Sequence, residues 1–565
     1  FKLFSQQRLT MMHLLPGLLV VRFCAASTYT ALFVDRNDVL YTAGLQRELQ
    51  QLKRVSLGVP AVQAEKPWEK LVAYTSVAKV DDEFHMWYQC SDGSASCSIC
   101  YATSKDGLTW TKPELPYYTY GNASKTNIVL REEKAAGEGG LYFGDVLYDP
   151  QEKNASRRFK MVLFDMPLVP GVPHGGSRPG VPGIWPVYSS SPAGPWHRPS
   201  LSKGPLLVGA YGGSPVTQPP YIEQHCDDFR VGPCGEGRQW MSPLAPSDVM
   251  NLLWDPQSQS YRCYHKTWID GIDGKNFWKR AVGLSTSQDF DSWNRTRQLI
   301  LYPDEFDDPS SAYLPGVGNV GVELHGGPTF YHATAKVYFM LVEVLDWKSN
   351  PTGDLRCELA VARGAGEEGD WTRPFQQGKQ GAKYFFDLNP TPNLFDSGVL
   401  WMSGNPQTIG NITYFYYGGY DHWNADVHCS NQANCSGIGI ASMNVDRFVA
   451  LQPMNASYPA QLTTKPLELN PSSCLTANVD ASKGSLRVEL LDASGYRVHG
   501  YEAENATVIT DNNVAAIVKW KSASAFAPTA PGRYSVRVHF TGNAQLFAIS
   551  VHTPCETYKE DQQYV

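Results

Sequence analysis

One recurring strand end constrains this chain more than any other feature. Tyr101-Ala-Thr-Ser-Lys-Asp-Gly-Leu-Thr-Trp110 returns four times in altered form. The second copy is Tyr188-Ser-Ser-Ser-Pro-Ala-Gly-Pro-Trp196 and the third is Gly283-Leu-Ser-Thr-Ser-Gln-Asp-Phe-Asp-Ser-Trp293. The fourth is Leu359-Ala-Val-Ala-Arg-Gly, ending at Asp370-Trp371; the fifth, degenerate, is Ile438-Gly-Ile-Ala-Ser-Met-Asn-Val-Asp-Arg-Phe448. Copies start roughly 75–95 residues apart, wider than the about 40–50 of common propeller repeats.

Each copy follows an aromatic, apolar strand: Phe84 to Tyr88, Phe159 to Phe164, Tyr261 to Tyr264, Val337 to Leu341 and Ile412 to Tyr417. A further strand precedes several of these, twice ending in Asp-Pro, at Val146 to Pro150 and Leu252 to Pro256. The unit of strand, turn, aromatic strand, loop and Ser-x-Asp-Gly strand end reads as a propeller blade. The expected fold is all-β: a five-bladed β-propeller over 27–460. Beyond it, Ser485 to Leu491, Tyr534 to Phe540 and Phe547 to Val551 alternate cleanly, predicting a β-sandwich over 461–555 and a polar tail over 556–565.

A net charge of −7 leaves no basic footprint for nucleic acid. No run of about 20 apolar residues marks a transmembrane span. Residues 1–26 read as a signal peptide, with Leu14 to Val21 as its apolar stretch and a cut after Ala26. Seven sequons, at Asn122, Asn154, Asn294, Asn411, Asn434, Asn455 and Asn505, fit the same secretory route. So do the twelve cysteines: Cys226/Cys234 and Cys429/Cys435 look like loop staples, and Cys474/Cys555 would tie the ends of the sandwich. Cys90, Cys97 and Cys100 cluster, and Cys97-x-x-Cys100 reads as part of a local disulfide rather than a zinc or redox motif. The expected location is extracellular or the lumen of the secretory pathway.

Several stretches resemble the furanosidase clan of glycoside hydrolases, above all secreted bacterial-type proteins similar to families 32 and 43. They are Leu32 to Leu40, Glu65-Lys-Pro-Trp-Glu69, Met86-Trp-Tyr88, Tyr101 to Trp110, Lys112-Pro-Glu-Leu115, Phe395-Asp-Ser-Gly398, Tyr416-Tyr-Gly-Gly419 and Leu462 to Leu467. The resemblance implies a propeller followed by a sandwich, and cleavage of a glycosidic bond by carboxyl groups in the propeller funnel.

Glycoside hydrolysis needs an acid for the leaving oxygen and a base or nucleophile. Acids opening the first strand of a blade would converge on the funnel, and an acid among apolar residues is costly unless used or paired. Four qualify: Asp145, Asp248, Glu323 and Asp396, in blades two to five. Glu323 is expected as the acid and Asp145 or Asp248 as the base. Blade one, Ala73-Tyr-Thr-Ser-Val-Ala78, carries no acid where the resembling enzymes have one; Glu65, Glu69, Asp35 or Asp38 would have to substitute. Trp68, Trp401 and Trp423 are candidate sugar-stacking platforms, and His325 is a candidate hydroxyl partner beside Glu323. No cofactor is expected, apart from a structural calcium ion the funnel would accommodate. No Gly-rich phosphate loop, His-x-x-x-His pair or Gly-x-Ser-x-Gly elbow appears. The competing expectation is a non-catalytic carbohydrate-binding or cell-surface recognition protein on the same fold.

Overall fold

The computed structural model describes residues 27–56, 58–93, 97–131, 141–171, 181–209, 245–270, 277–294, 298–307, 321–347, 353–364, 366–367, 369–423, 435–521 and 530–555. Its helical content among these is two single 3-10 turns, Ala155–Arg157 and Leu201–Lys203. Everything else that is regular is strand.

Five antiparallel sheet units match the five sequence copies. Blade 1 comprises Leu71–Val80, Glu83–Ser91, Cys97–Ser104 and Ile128–Arg131. Blade 2 comprises Tyr142–Tyr148, Phe159–Asp165, Gly183–Ser189 and Leu207–Val208. Blade 3 comprises Met250–Asp255, Ser260–Asp270, Phe277–Ser287 and Gln298–Leu301. Blade 4 runs through Val322–Gly326, Val337–Asp346, Asp354–Ala362 and Trp371–Thr372. Blade 5 has Val399–Met402, Ile412–Tyr420 and Ser436–Asn444, and takes its outer edge from Lys53–Arg54 and Val62–Gln63. The N-terminal region therefore closes the ring by completing the last blade.

The aromatic second strands read as unbroken apolar runs because both of their faces are buried. In blade 2, Phe159, Met161 and Leu163 pack towards Trp87 and Tyr101 of blade 1. The alternate residues, Val162 and Phe164, pack towards Leu252 and Phe290 of blade 3. In blade 4, Tyr338, Met340 and Val342 meet Tyr264 and Val282 of blade 3. Phe339 and Leu341 meet Phe415 and Tyr417 of blade 5, and Tyr416 with Ile438 returns to Phe84 and Met86 of blade 1. Five interblade cores close a circle.

The recurring strand end is a turn with its own chemistry. Asp106 Oδ1 accepts from the N–H groups of Leu108 and Thr109 at 2.8 and 2.7 Å, and Ser104 Oγ accepts from Gly107 N at 2.9 Å. Asp289 and Ser287 repeat the pattern on Asp291, Ser292 and Phe290. The backbone bonds from Thr109 and Leu108 hold the Asp106 carboxyl down at about 2. The turn demands a left-handed residue, supplied by Gly107 (φ 72°) and, in the third copy, by Phe290 (φ 68°).

The sandwich departs from the expected boundaries. One sheet joins Leu45–Leu49, Val449–Pro453, Gln545–Thr553, Cys474–Asp480 and Asn512–Ile517, with Ser27–Leu32 added along Gln545–Thr553. The other joins Val39–Ala43, Ala460–Thr464, Gly532–Gly542, Leu467–Leu469 and Gly484–Leu491. Strands before residue 50, assigned from the sequence to the propeller, thus pair with strands from the other end of the chain. Their partners lie hundreds of residues away, beyond the reach of local pattern.

Cys474 is bonded to Cys555, and Cys100 to Cys90 on the neighbouring strand rather than to Cys97. Cys435 is also disulfide-bonded; Cys226, Cys234 and Cys429 lie outside the described residues. The sequon residues Asn122, Asn154, Asn294, Asn411 and Asn455 are exposed, Asn505 is half-buried, and Asn434 lies outside the described residues. Among the described residues no helix is long and apolar enough to cross a membrane.

Candidate active site at the propeller mouth

Bulges in three inner strands shape the centre. The ladder slips between Ala73 and Thr75, between Phe143 and Asp145, and between Leu324 and Gly326. A bulge leaves one residue unpaired and re-aims its side chain; here these are Tyr74, Gly144 and His325. Tyr74 has φ 36°, a costly conformation for a bulky residue that persists only where its surroundings enforce it.

Three charged or polar pairs gather around these bulges. Asp248 forms an ion pair with Lys266 and accepts from Ser247 Oγ at 2.8 Å. Burial opposes ionisation of Asp248, but Lys266 and Ser247 outweigh it and hold the carboxyl below its ordinary range. Its side chain keeps 21% exposure, the most open carboxyl of the group. Glu323 pairs with Arg280 and accepts from Trp347 Nε1 at 2.8 Å and from Arg280 N at 3.2 Å. Glu343 lies 3.3 Å from His325 Nδ1 and accepts from Met402 N at 3.0 Å. Burial raises Glu343 to about 8 and depresses His325 well below its usual value, with Lys266 and Arg280 adding to the latter. Both shifts favour the uncharged forms, a protonated Glu343 carboxyl beside a neutral His325 imidazole. Glycine is required opposite: a Cβ on Gly326 would lie 2.5 Å from Glu343 Oε2.

An aromatic wall frames the pairs. The Tyr74 and Trp401 rings are 5.0 Å apart, Trp401 and Tyr420 4.5 Å, Trp347 and Trp423 5.6 Å, and His325 and Trp423 5.1 Å. Arg280 lies over Trp268 at 4.7 Å. Burial, with Asp248 and Glu343 adding to it, pushes the Tyr74 phenol well above its ordinary value, so it stays a neutral hydroxyl.

Deeper on the axis, Tyr74, Glu343 and Asp145 line a cavity of about 20 Å³, room for about one water. Asp145 closes its floor as a knot between blades. Its Oδ2 accepts from Asn251 Nδ2 at 2.7 Å and Leu252 N at 2.9 Å, both in blade 3. Its Oδ1 accepts from Val146 N at 2.8 Å and from Asn405 Nδ2, beyond the first strand of blade 5, at 3.2 Å. Asn251 Oδ1 in turn accepts from Thr329 N of blade 4 at 3.0 Å, and Ser76 of blade 1 donates to Val146 O at 3.3 Å. Burial lifts Asp145 to about 6 against these hydrogen bonds.

The structure thus brings Asp248, Glu323, His325, Trp401 and Trp423 together, and sets Asp145 beneath them as an interblade tie. It places the others elsewhere. Asp396 accepts from Arg54 Nε at 2.5 Å and Tyr417 OH at 2.9 Å, securing the edge strand that closes blade 5. Glu69 is buried on Tyr88, Asn127 and Lys112, at 2.6, 3.1 and 2.7 Å. Trp68 donates to Asn127 at 2.8 Å within the core between blades 5 and 1. Asp35 and Asp38 pair with Arg363, and Glu65 with Lys112. These acids are paired for structure, which satisfies the same burial argument that nominated them.

The sequence reading missed Tyr74, Lys266, Arg280, Glu343, Trp347 and Tyr420. Apart from Tyr74 they lie on or just beyond second and third strands, away from the blade entrances where the four candidate acids stand. Glu343 carried a legible signal: it is an acid inside the wholly buried run Val337–Asp346. Among the described residues no cluster of three or more His, Cys, Asp or Glu is arranged to hold a metal ion.

No family model matches the chain, and no curated protein does. Several solved structures resemble it loosely. An N-acetylgalactosamine deacetylase from F. plautii, in complex with blood group B trisaccharide, is 12% identical with a TM-score of 0.40 over 70% of this chain and 96% of its own. A glycosyl hydrolase from Bacteroides ovatus is 12% identical, TM-score 0.39, over 71% and 95%. An exo-β-1,3-galactanase from Phanerochaete chrysosporium is 10% identical, TM-score 0.34, over 90% and 100%. At such values the likeness carries over neither residues nor activity.

Proposed function

We propose that this protein is a secreted enzyme that hydrolyses a glycosidic bond at the propeller mouth. The observation that carries this reading is the convergence there of an ionised, partly open carboxylate, a protonated carboxyl with its imidazole, and an aromatic wall. Sugar rings stack on aromatic faces, and hydrolysis needs one proton donor and one base. In this reading Asp248 draws a proton from the attacking water. His325 protonates the leaving oxygen from Nε2 while Glu343 resupplies Nδ1. Trp401 and Trp423 supply stacking faces, and the Tyr74 hydroxyl is a hydrogen-bond donor to the sugar. Glu323, with both oxygens taken up by Arg280 and Trp347, is a positioning residue. Secretion is supported by the disulfides Cys90–Cys100 and Cys474–Cys555 and by the exposed sequons.

A second reading, carbohydrate binding without turnover, is favoured by the engagement of Asp248 with Lys266 and of Glu323 with Arg280. Incubation with a panel of oligosaccharides, with released sugar and binding read in parallel, separates the two. Hydrolysis predicts product that falls at least about 100-fold in Asp248→Asn and Glu343→Gln while binding persists. Binding with no product from the wild type would establish the second reading.

A further inference from the structure

The sandwich carries a second built surface, remote in sequence from the mouth. In the sheet that contains Gln545–Thr553, Gln46 stands opposite Gln452, and Asp480 stands opposite Gln545. The pairing of Leu451 with Leu546 sets Gln452 beside Gln545, and Gln545 Nε2 donates to Gln452 Oε1 at 2.7 Å. Four adjacent strands thus present one row of three carboxamides and a carboxylate.

The row is the floor of a groove of about 400 Å³, within the range of small-ligand clefts. Met454 and Ala456 line it with Lys483 and Asn543. Both of its turns are pinned by the backbone: Met454 N donates to Gly44 O at 2.8 Å, and Asn543 N to Lys483 O at 2.9 Å. Asp480 Oδ1 is taken by Ser482, at 3.2 Å from its N–H and 2.6 Å from its hydroxyl, while Oδ2 receives one long contact from Asn512 at 3.4 Å. Among the described residues nothing bonds the side-chain carboxamides of Gln46 or Asn543.

The lining chemistry narrows the ligand. Carboxamides offer a donor and an acceptor side by side in one plane, which matches a pair of adjacent hydroxyls. One carboxylate and one ammonium cancel, so the groove selects neither anions nor cations. Among the described residues its lining has no aromatic ring and one thioether, so an apolar ligand would find little to bury against. We propose that this groove binds a neutral di- or trisaccharide through vicinal hydroxyls, as a site separate from the mouth.

The test is calorimetric titration of the full chain with cellotriose, mannotriose and chitotriose up to about 10 mM, the reach of a weak site, with trigalacturonate as the charged comparison. The expected result is binding of at least one neutral trisaccharide. The same binding should weaken at least about 10-fold in Gln452→Ala/Gln545→Ala and in Gln46→Trp, which fills the groove from an exposed position. The proposal is overturned if no neutral probe binds, if these variants bind like the wild type, or if trigalacturonate binds equally well. It is also overturned if binding appears only in Asn455→Gln, which would make a glycan on the chain's own Asn455 the occupant. Asp248→Asn is read for turnover in the same samples, so failure of the groove and failure of the mouth give different results.

Discussion

Replacing Asp145 by alanine tests whether the axial knot holds the blades together, and how. The variant strips the acceptor from Asn251 Nδ2 and Leu252 N, two buried donors on blade 3, and from the half-buried Asn405 Nδ2, which keeps Ser76 Oγ at 3.3 Å. Unpartnered buried donors cost about 1–3 kcal/mol each, so the gross loss from the two on blade 3 is on the order of 2–6 kcal/mol. An opposing effect depends on pH. Burial raises Asp145 from its ordinary 3.8 to about 6 in the folded protein, so the folded state binds this proton more tightly than the unfolded chain. Its contribution to stability is complete below about pH 3.8 and is lost as pH rises through about 6. That rise corresponds to about 3 kcal/mol. Alanine has no such dependence, so its destabilisation should be about 2 kcal/mol larger at pH 4 than at pH 7.5. Urea unfolding of wild type and variant, followed by propeller tryptophan fluorescence at both pH values, measures the difference directly. A destabilisation that stays flat or grows as pH rises would refute the reasoning, because Asp145 would then be held as an anion by its donors rather than strained by burial.

Three further outcomes follow from the same physics. Glu343→Gln should flatten the wild type's loss of stability between about pH 4.5 and 8, a difference on the order of 4–5 kcal/mol, read from urea midpoints across that range; an unchanged slope would show that Glu343 is ionised in the fold. Tyr74→Phe keeps the ring contact with Trp401 and the backbone strain but removes the hydroxyl. It should unfold within about 1 kcal/mol of wild type while slowing any sugar release at least 10-fold, and equal rates would confine Tyr74 to packing. Arg54→Ala leaves the Asp396 carboxylate buried with Tyr417 alone and should cost about 3–5 kcal/mol, with protease cleavage appearing near residues 50–65 as the edge of blade 5 loosens.

What the sequence determined by itself is what repeats locally. The Ser-x-Asp turn is legible because all of its hydrogen bonds close within a few residues, as Asp106 shows with Leu108 and Thr109. The aromatic runs are legible because each second strand is buried on both faces, as Phe159 to Phe164 shows by splitting its side chains between two cores. Recurrence of the two together is enough for an all-β propeller. The sandwich strands past residue 480 are legible for the same local reason, through their alternation.

Only the tertiary structure decided what each acid does. Asp145, Asp248, Glu323 and Asp396 look alike in sequence, each an acid among apolar neighbours. Their partners are Asn251 and Asn405, Lys266, Arg280 with Trp347, and Arg54 with Tyr417, and most lie tens to hundreds of positions away. A buried carboxyl is satisfied by whichever donor the ring closure delivers, and closure joins the Lys53–Arg54 strand to a blade that ends near residue 444. The same closure seats Ser27–Leu32 in the sandwich, while the bulge between Leu324 and Gly326 turns His325 of a first strand onto Glu343 of the second. Local patterning specifies strands and turns, whereas the environment that makes one carboxyl a tie and another a candidate base exists only once the five sheets meet around the axis.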